Sequence, residues 1–197
     1  VSGTTTTANV FTLINNTHAS NAILDPPFSG ALEGGTATVN SKTAAYTYAG
    51  GTGGNDFTLT VASPWIISGD LTSENFELRE TVVGASTNID LIRNGVVVES
   101  RPFNAVNDIT INGSDGNDRL VVNYNGTGGF FNKTITFNGG NPTSGTGDSL
   151  FVTGGSFTDV ILNHSSSSNG SVVLDGTMIN YTGLEPVTVG VGGANLI

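Results

Sequence analysis

The sequence predicts an all-β fold, a parallel β-helix or β-solenoid with coils of roughly 30 residues. Three observations carry that expectation. Short Val, Ile, Leu and Phe runs alternate with Thr, Asn and Ser at period two, the signature of half-buried strands. Turns rich in Gly, Asn and Asp separate those runs. One turn-plus-strand pattern recurs along the chain: Gly53-Gly54-Asn55-Asp56-Phe57-Thr58-Leu59, then Gly116-Asn117-Asp118-Arg119-Leu120-Val121-Val122, then Gly147-Asp148-Ser149-Leu150-Phe151-Val152. No segment shows helical periodicity over a useful length. The alternative within the all-β class is an antiparallel β-sandwich.

Taken in order, residues 1–24 form an N-terminal strand or arm. Val1 to Ile14 is rich in Thr and β-branched residues, which favour strand. It is either a first strand or an arm that pairs with another chain. The chain therefore reads as a mature or excised piece of something longer. Residues 25–197 read as a single β-rich domain. Asp25-Pro26-Pro27-Phe28 is a rigid turn, since each Pro fixes φ and removes a donor. Thr36–Val39 and Ala44–Tyr48 are strands. Trp65 sits in the apolar run Pro64-Trp65-Ile66-Ile67 and reads as a packing residue. Residues 70–101 form an antiparallel meander, because Arg93-Asn94-Gly95 carries a type I′ hairpin signal between two strand-like runs. The charges of that stretch read as a solvated face. Thr134–Phe137, Thr158–Asn163, Ser171–Leu174, Met178–Tyr181 and Pro186–Val189 are further strands, with Ser165–Gly170 as a loop.

The period follows from the motif aspartates. Asp118 to Asp148 is 30 residues, and Asp56 to Asp118 is 62, close to two such intervals. Coils of that length stack at about 4.8 Å, so six or seven make a rod about 30 Å long. Stacking accounts for the composition: Asn, Thr and Ser form ladders, and Gly turns corners.

Charge narrows the partners. Only 11% of residues are charged, and 16 Asp+Glu against 6 Lys+Arg give a net charge of −10. Nucleic acid is disfavoured, since neutralising phosphates needs a basic patch. No run reaches the ~20 apolar residues of a membrane helix, so no membrane insertion is expected. There is no Cys, which removes disulfides and thiolate chemistry. His18 and His164 stand apart in polar loops. Glu74, Glu77, Glu80 and Asp90 do not form a recognisable catalytic pair, so the chain is expected not to be an enzyme. The competing class is a carbohydrate-binding or carbohydrate-cleaving β-helix, with Trp65 and Tyr46 as candidate aromatic lining.

The turns at Gly50–Leu59 and Asn112–Leu120 resemble the calcium-binding nonapeptide of bacterial RTX proteins, Gly-Gly-x-Gly-x-Asp-x-apolar-x. The resemblance implies Ca2+ held between coils by the motif Asp and backbone carbonyls. Asp115, Asn117, Asp118, Asp56 and Asp148 are accordingly the candidate metal ligands. The competing reading is Asx-turns, in which Asp and Asn bond their own backbone. RTX copies run in tandem every nine residues, whereas these lie 30 or more apart, and a lone half-site offers fewer than the 6–8 oxygens Ca2+ takes. Residues 45–190 also resemble the repetitive segments of very large secreted bacterial proteins. That likeness implies a secreted or cell-surface structural module: a spacer, surface-layer, fibre or adhesin unit. Self-association by strand addition or end-to-end stacking is expected, and a cell-surface glycan is a second expected partner.

Overall fold

The structure, a computed structural model, describes residues 9–17, 35–39, 42–50, 56–84, 86–142 and 147–196. Residues 1–8, His18, the Pro26-Pro27 turn and the glycines at 51–54 lie outside the described residues. Within them the fold is all-β, with a three-residue 3-10 turn at Phe103–Ala105. The chain divides into two compact units.

One unit runs to Ser63 and includes residues 104–106. Its sheet holds β1 (Asn9–Ile14), β2 (Thr36–Val39), β3 (Lys42–Gly50) and β4 (Asp56–Val61), in the order β1-β4-β3-β2, antiparallel throughout. The N-terminal segment thus pairs within its own chain, with Phe11 opposite Leu59. Ala44, Ala45 and Tyr48 are buried, and the Tyr48 ring stacks on Phe57 at 4.9 Å.

The other unit spans residues 64–103 and 107 onward. Its strands are β5 (Ser63–Ser68), β6 (Asn75–Val83), β7 (Ser86–Arg93), β8 (Val96–Pro102), β9 (Val106–Asp115), β10 (Arg119–Asn123), β11 (Thr134–Asn141), β12 (Asp148–His164), β13 (Gly170–Leu174), β14 (Thr177–Thr182) and β15 (Leu184–Leu196). Two parallel ladders organise them. The first is β6-β10-β12-β15. The second is β9-β11-β14, with β5 beside β9.

Period-two alternation sets the register of both ladders, because a one-residue slip would turn every apolar side chain outward. Phe76, Leu120, Leu150 and Val187 fall in one column, and Leu78, Val122, Val152 and Val189 in the next. In the second ladder Ile109, Ile135 and Ile179 align, as do Ile111, Phe137 and Tyr181. Nearly all are buried, and each fully buried aliphatic side chain contributes about 1.5–3 kcal/mol.

The intervals between rungs are uneven. Arg119 follows its rung-mate Asn75 by 44 residues and precedes Ser149 by 30. Thr134 follows Asp108 by 26, and Ile179 follows Ile135 by 44. Antiparallel excursions account for both long intervals. The meander β6-β7-β8 lengthens one, and Asn94 and Gly95 at its turn both have positive φ, 51° and 82°. The second half of β12 and β13 lengthen the other.

Candidate functional site

The connections from the second ladder to the first lie at successive rungs. The fully described ones are Gly69–Glu74, Gly116–Asp118 and Gly183. Three acids sit at the entrances to the first ladder: Glu74, Asp118 and Asp148. They are 2%, 1% and 0% exposed. Asp118 and Asp148 each accept from the backbone of the rung before them. The Glu74 N–H donates to Asp118 Oδ1 at 2.8 Å, and the Asp118 N–H donates to Asp148 Oδ1 at 2.7 Å. The backbone answers in the other direction, with Arg119 N–H donating to Glu74 O and Ser149 N–H to Asp118 O, both at 2.8 Å. Hydrogen bonds to an ionised acceptor contribute about 1.5–3 kcal/mol each, roughly twice a neutral one.

Glycines make room for this column. A Cβ on Gly113 would lie 2.5 Å from Asp118 Oδ2 and overlap the Gly139 carbonyl oxygen. A Cβ on Gly139 would lie 2.5 Å from Asp148 Oδ2, and one on Gly69 would overlap Glu74 and the Gly113 carbonyl. An amide column runs alongside: Asn138 Nδ2 donates to Asn112 Oδ1 at 2.8 Å, and Thr182 Oγ1 to Asn138 Oδ1 at 3.0 Å.

Charge is balanced at one end only. Arg93 Nη1 lies 3.2 Å from Glu74 Oε1, Nη2 donates to Ser68 O at 2.7 Å, and the guanidinium rests 5.1 Å over the Phe76 ring. Asp70 N–H donates to Glu74 Oε2. Asp118 Oδ2 and Asp148 Oδ2 are buried without a hydrogen-bond partner. Burial pushes the Asp118 carboxyl up to about 6, against the pull of the Glu74 N–H, and the charges of Asp148, Glu74 and Asp70 add to the rise. Burial also raises Asp148.

The structure brings Asp118 and Asp148 together and scatters the other expected ligands. Asp115 accepts from Asn141 Nδ2 at 3.3 Å, and the Asn117 N–H donates to Ser73 Oγ at 2.9 Å. Asp56 belongs to the four-stranded unit, where its Oδ1 accepts from the Asn16 N–H at 2.8 Å. Among the described residues no three of His, Cys, Asp and Glu are grouped as a metal site. Glu74 and Arg93 lie outside the recurring turn-plus-strand motif, although Gly69 to Glu74 and Gly113 to Asp118 share a five-residue spacing. The insertion before Gly147 stretches the third spacing, Gly139 to Asp148, to nine.

The remaining carboxylates are dispersed. Glu77 accepts from Asn123 Nδ2 at 2.9 Å, Asp90 lies 3.8 Å from Arg79 Nε, and buried Glu80 is raised by desolvation. Trp65 is fully buried, with the Arg101 guanidinium 4.8 Å over its ring. His164 hydrogen-bonds Tyr181 Oη at 3.1 Å. Comparison with protein-family models, curated proteins and solved structures found no match.

Proposed function

We propose that the chain is a structural module of a secreted or cell-surface protein, built as a β-solenoid whose coils carry load or spacing rather than chemistry. The observation that supports this most is the repeated corner. Glycine, buried acid and cross-rung N–H recur on successive rungs of two in-register parallel ladders, so each rung is locked to the next. The sandwich alternative draws on the antiparallel strands β6-β7-β8 and β12-β13-β14.

Self-association is the associated proposal. β1 is an edge strand that exposes Phe11 and Leu13, 52% and 53%. β8 is an edge strand that exposes Val96, Val97 and Val98 in its first half, ahead of Glu99, Arg101 and Pro102. Exposed apolar edge segments favour pairing with another chain. The test is electron microscopy with light scattering on the purified chain. Filaments or discrete oligomers that dissolve on Val97→Lys or on deletion of residues 1–14 support strand addition. A monomer at all concentrations removes self-association.

A second reading concerns calcium at the same corner. Two buried anionic oxygens without partners, Asp118 Oδ2 and Asp148 Oδ2, are hard ligands of the kind Ca2+ takes. A higher melting temperature on adding millimolar Ca2+ to chelated protein supports it, and an unchanged transition removes it.

A further inference from the structure

We propose that the outer face of the first ladder binds a linear, uncharged, hydroxyl-rich polysaccharide along a groove centred on Arg119. Two adjoining concavities of about 400 and 470 Å³ open on this face, and both are lined by Asn75 and Arg119. Together they run from the Asn94-Gly95 turn across β6 and β10 to Ser149 on β12 and Thr188 on β15. From β6 to β15 the groove crosses three strand spacings, about 14 Å, which suits an extended chain more than a compact ligand.

Arg119 is set for recognition. It is exposed, lies 5.4 Å over the Phe151 ring, and forms no ion pair among the described residues. The cation–π contact restrains the guanidinium over Phe151, which lowers the ordering cost of presenting its N–H donors to a ligand. The rest of the lining is mainly polar, with Asn75, Asn94, Asn117, Ser149 and Glu77, of which Glu77 Oε1 already accepts from Asn123 and Asn94 Oδ1 from the Asn75 N–H. Sugar hydroxyls both donate and accept, and such a surface serves both roles.

Charge selects against the acidic alternative. Arg119 is the one cation in the lining, against Glu77 and the largely buried Asp118, and the chain as a whole carries −10. A polyanion would meet repulsion over the molecule and one cation at the site. The proposal goes beyond the structural role and stands whether or not the chain assembles, since the groove lies on a sheet face rather than on the exposed edges.

The experiment is calorimetric titration of the full chain with cello-, xylo- and mannohexaose, with polygalacturonate as the acidic arm. Binding of at least one neutral hexaose is expected, nearly independent of salt. Arg119→Ala and Ser149→Trp should each weaken it tenfold or more with melting temperatures within two degrees of wild type. Arg79→Ala, outside the groove lining, should leave it unchanged. Three results overturn the proposal: no neutral hexaose binds, binding survives both groove substitutions, or only polygalacturonate binds with steep salt dependence. Microscopy of the same samples reads assembly separately, so failure here leaves the structural reading intact.

Discussion

Replacing Gly113 with Ala adds one methyl group where neither neighbour can give way. The Cβ would overlap the Gly139 carbonyl oxygen across the second ladder and sit 2.5 Å from Asp118 Oδ2. The carbonyl belongs to a parallel ladder in register from Asp108–Thr134 to Asp115–Asn141. The carboxylate is held by its 2.8 Å bond from the Glu74 N–H. Overpacking costs about 1–3 kcal/mol and a lost charge-assisted bond about 1.5–3, so the expected loss is about 2.5–6 kcal/mol. A typical domain holds only about 5–15 kcal/mol in total. Gly190→Ala is the control: the nearest atom to its added Cβ is Val152 O at 3.7 Å, so the change should stay within about 0.5 kcal/mol. Urea unfolding measures both through the shift in midpoint at unchanged m. If Gly113→Ala loses less than about 1 kcal/mol, or no more than Gly190→Ala, the glycine does not create the space for the acid column.

The other expectations concern the charges and amides of that column. Asp118 has a folded-state pKa raised by burial from 3.8 to about 6, so the fold favours its protonated form. Its contribution is fully present below about 4 and lost as pH rises through about 6, a change of at most about 3 kcal/mol. The melting temperature should therefore fall between about pH 4 and 6, and Asp118→Asn should flatten that slope; an equal slope in the variant refutes the assignment. Arg93→Met leaves Glu74 buried without its cation and should cost about 3 kcal/mol or more, part of which Glu74→Gln in the same chain restores. A denaturation series on both single variants and the pair reads this coupling. Asn138→Ala removes the bonds to Asn112 and from Thr182 and should cost about 1–2 kcal/mol by the same assay.

What was legible in the sequence follows the range of each cause. Alternation is local, so the apolar columns Phe76–Leu120–Leu150 and Ile109–Ile135–Ile179 could be traced to runs that read as strands. The corner glycines were visible because Gly and Asn tolerate turns, and Ser114 and Gly116 do take positive φ there. Glu74 was not, because its role depends on the Asp118 carboxylate 44 residues away rather than on its neighbours. Even spacing was the weaker guide. Antiparallel strands inserted between successive rungs stretch the interval to 44 without moving the ladder registers, so period alone understates how far the rungs repeat. Asp56 shows the opposite error: its motif matches, yet it serves a separate antiparallel sheet and bonds the Asn16 N–H.

The column also has a direction. Asp118 and Asp148 each receive from the rung before them, so Asp118 is both acceptor, through its side chain, and donor, through its N–H. On the last rung buried Leu184 stands opposite Asp148, and among the described side chains no acid accepts its N–H. Instead the Leu184 N–H donates to Ser168 O, and the Gly183 N–H to Asn169 Oδ1. The Ser165–Asn169 loop thus supplies by side chain and carbonyl what another acidic corner would have supplied. At the opposite end Arg93 from the meander neutralises Glu74. Both ends of the acid column are therefore finished by residues from the antiparallel excursions that interrupt the period. Those excursions are better understood as caps for a short stack of rungs than as irregularities in it, since unsatisfied buried N–H groups and unpaired buried acids cost more than the loops that serve them.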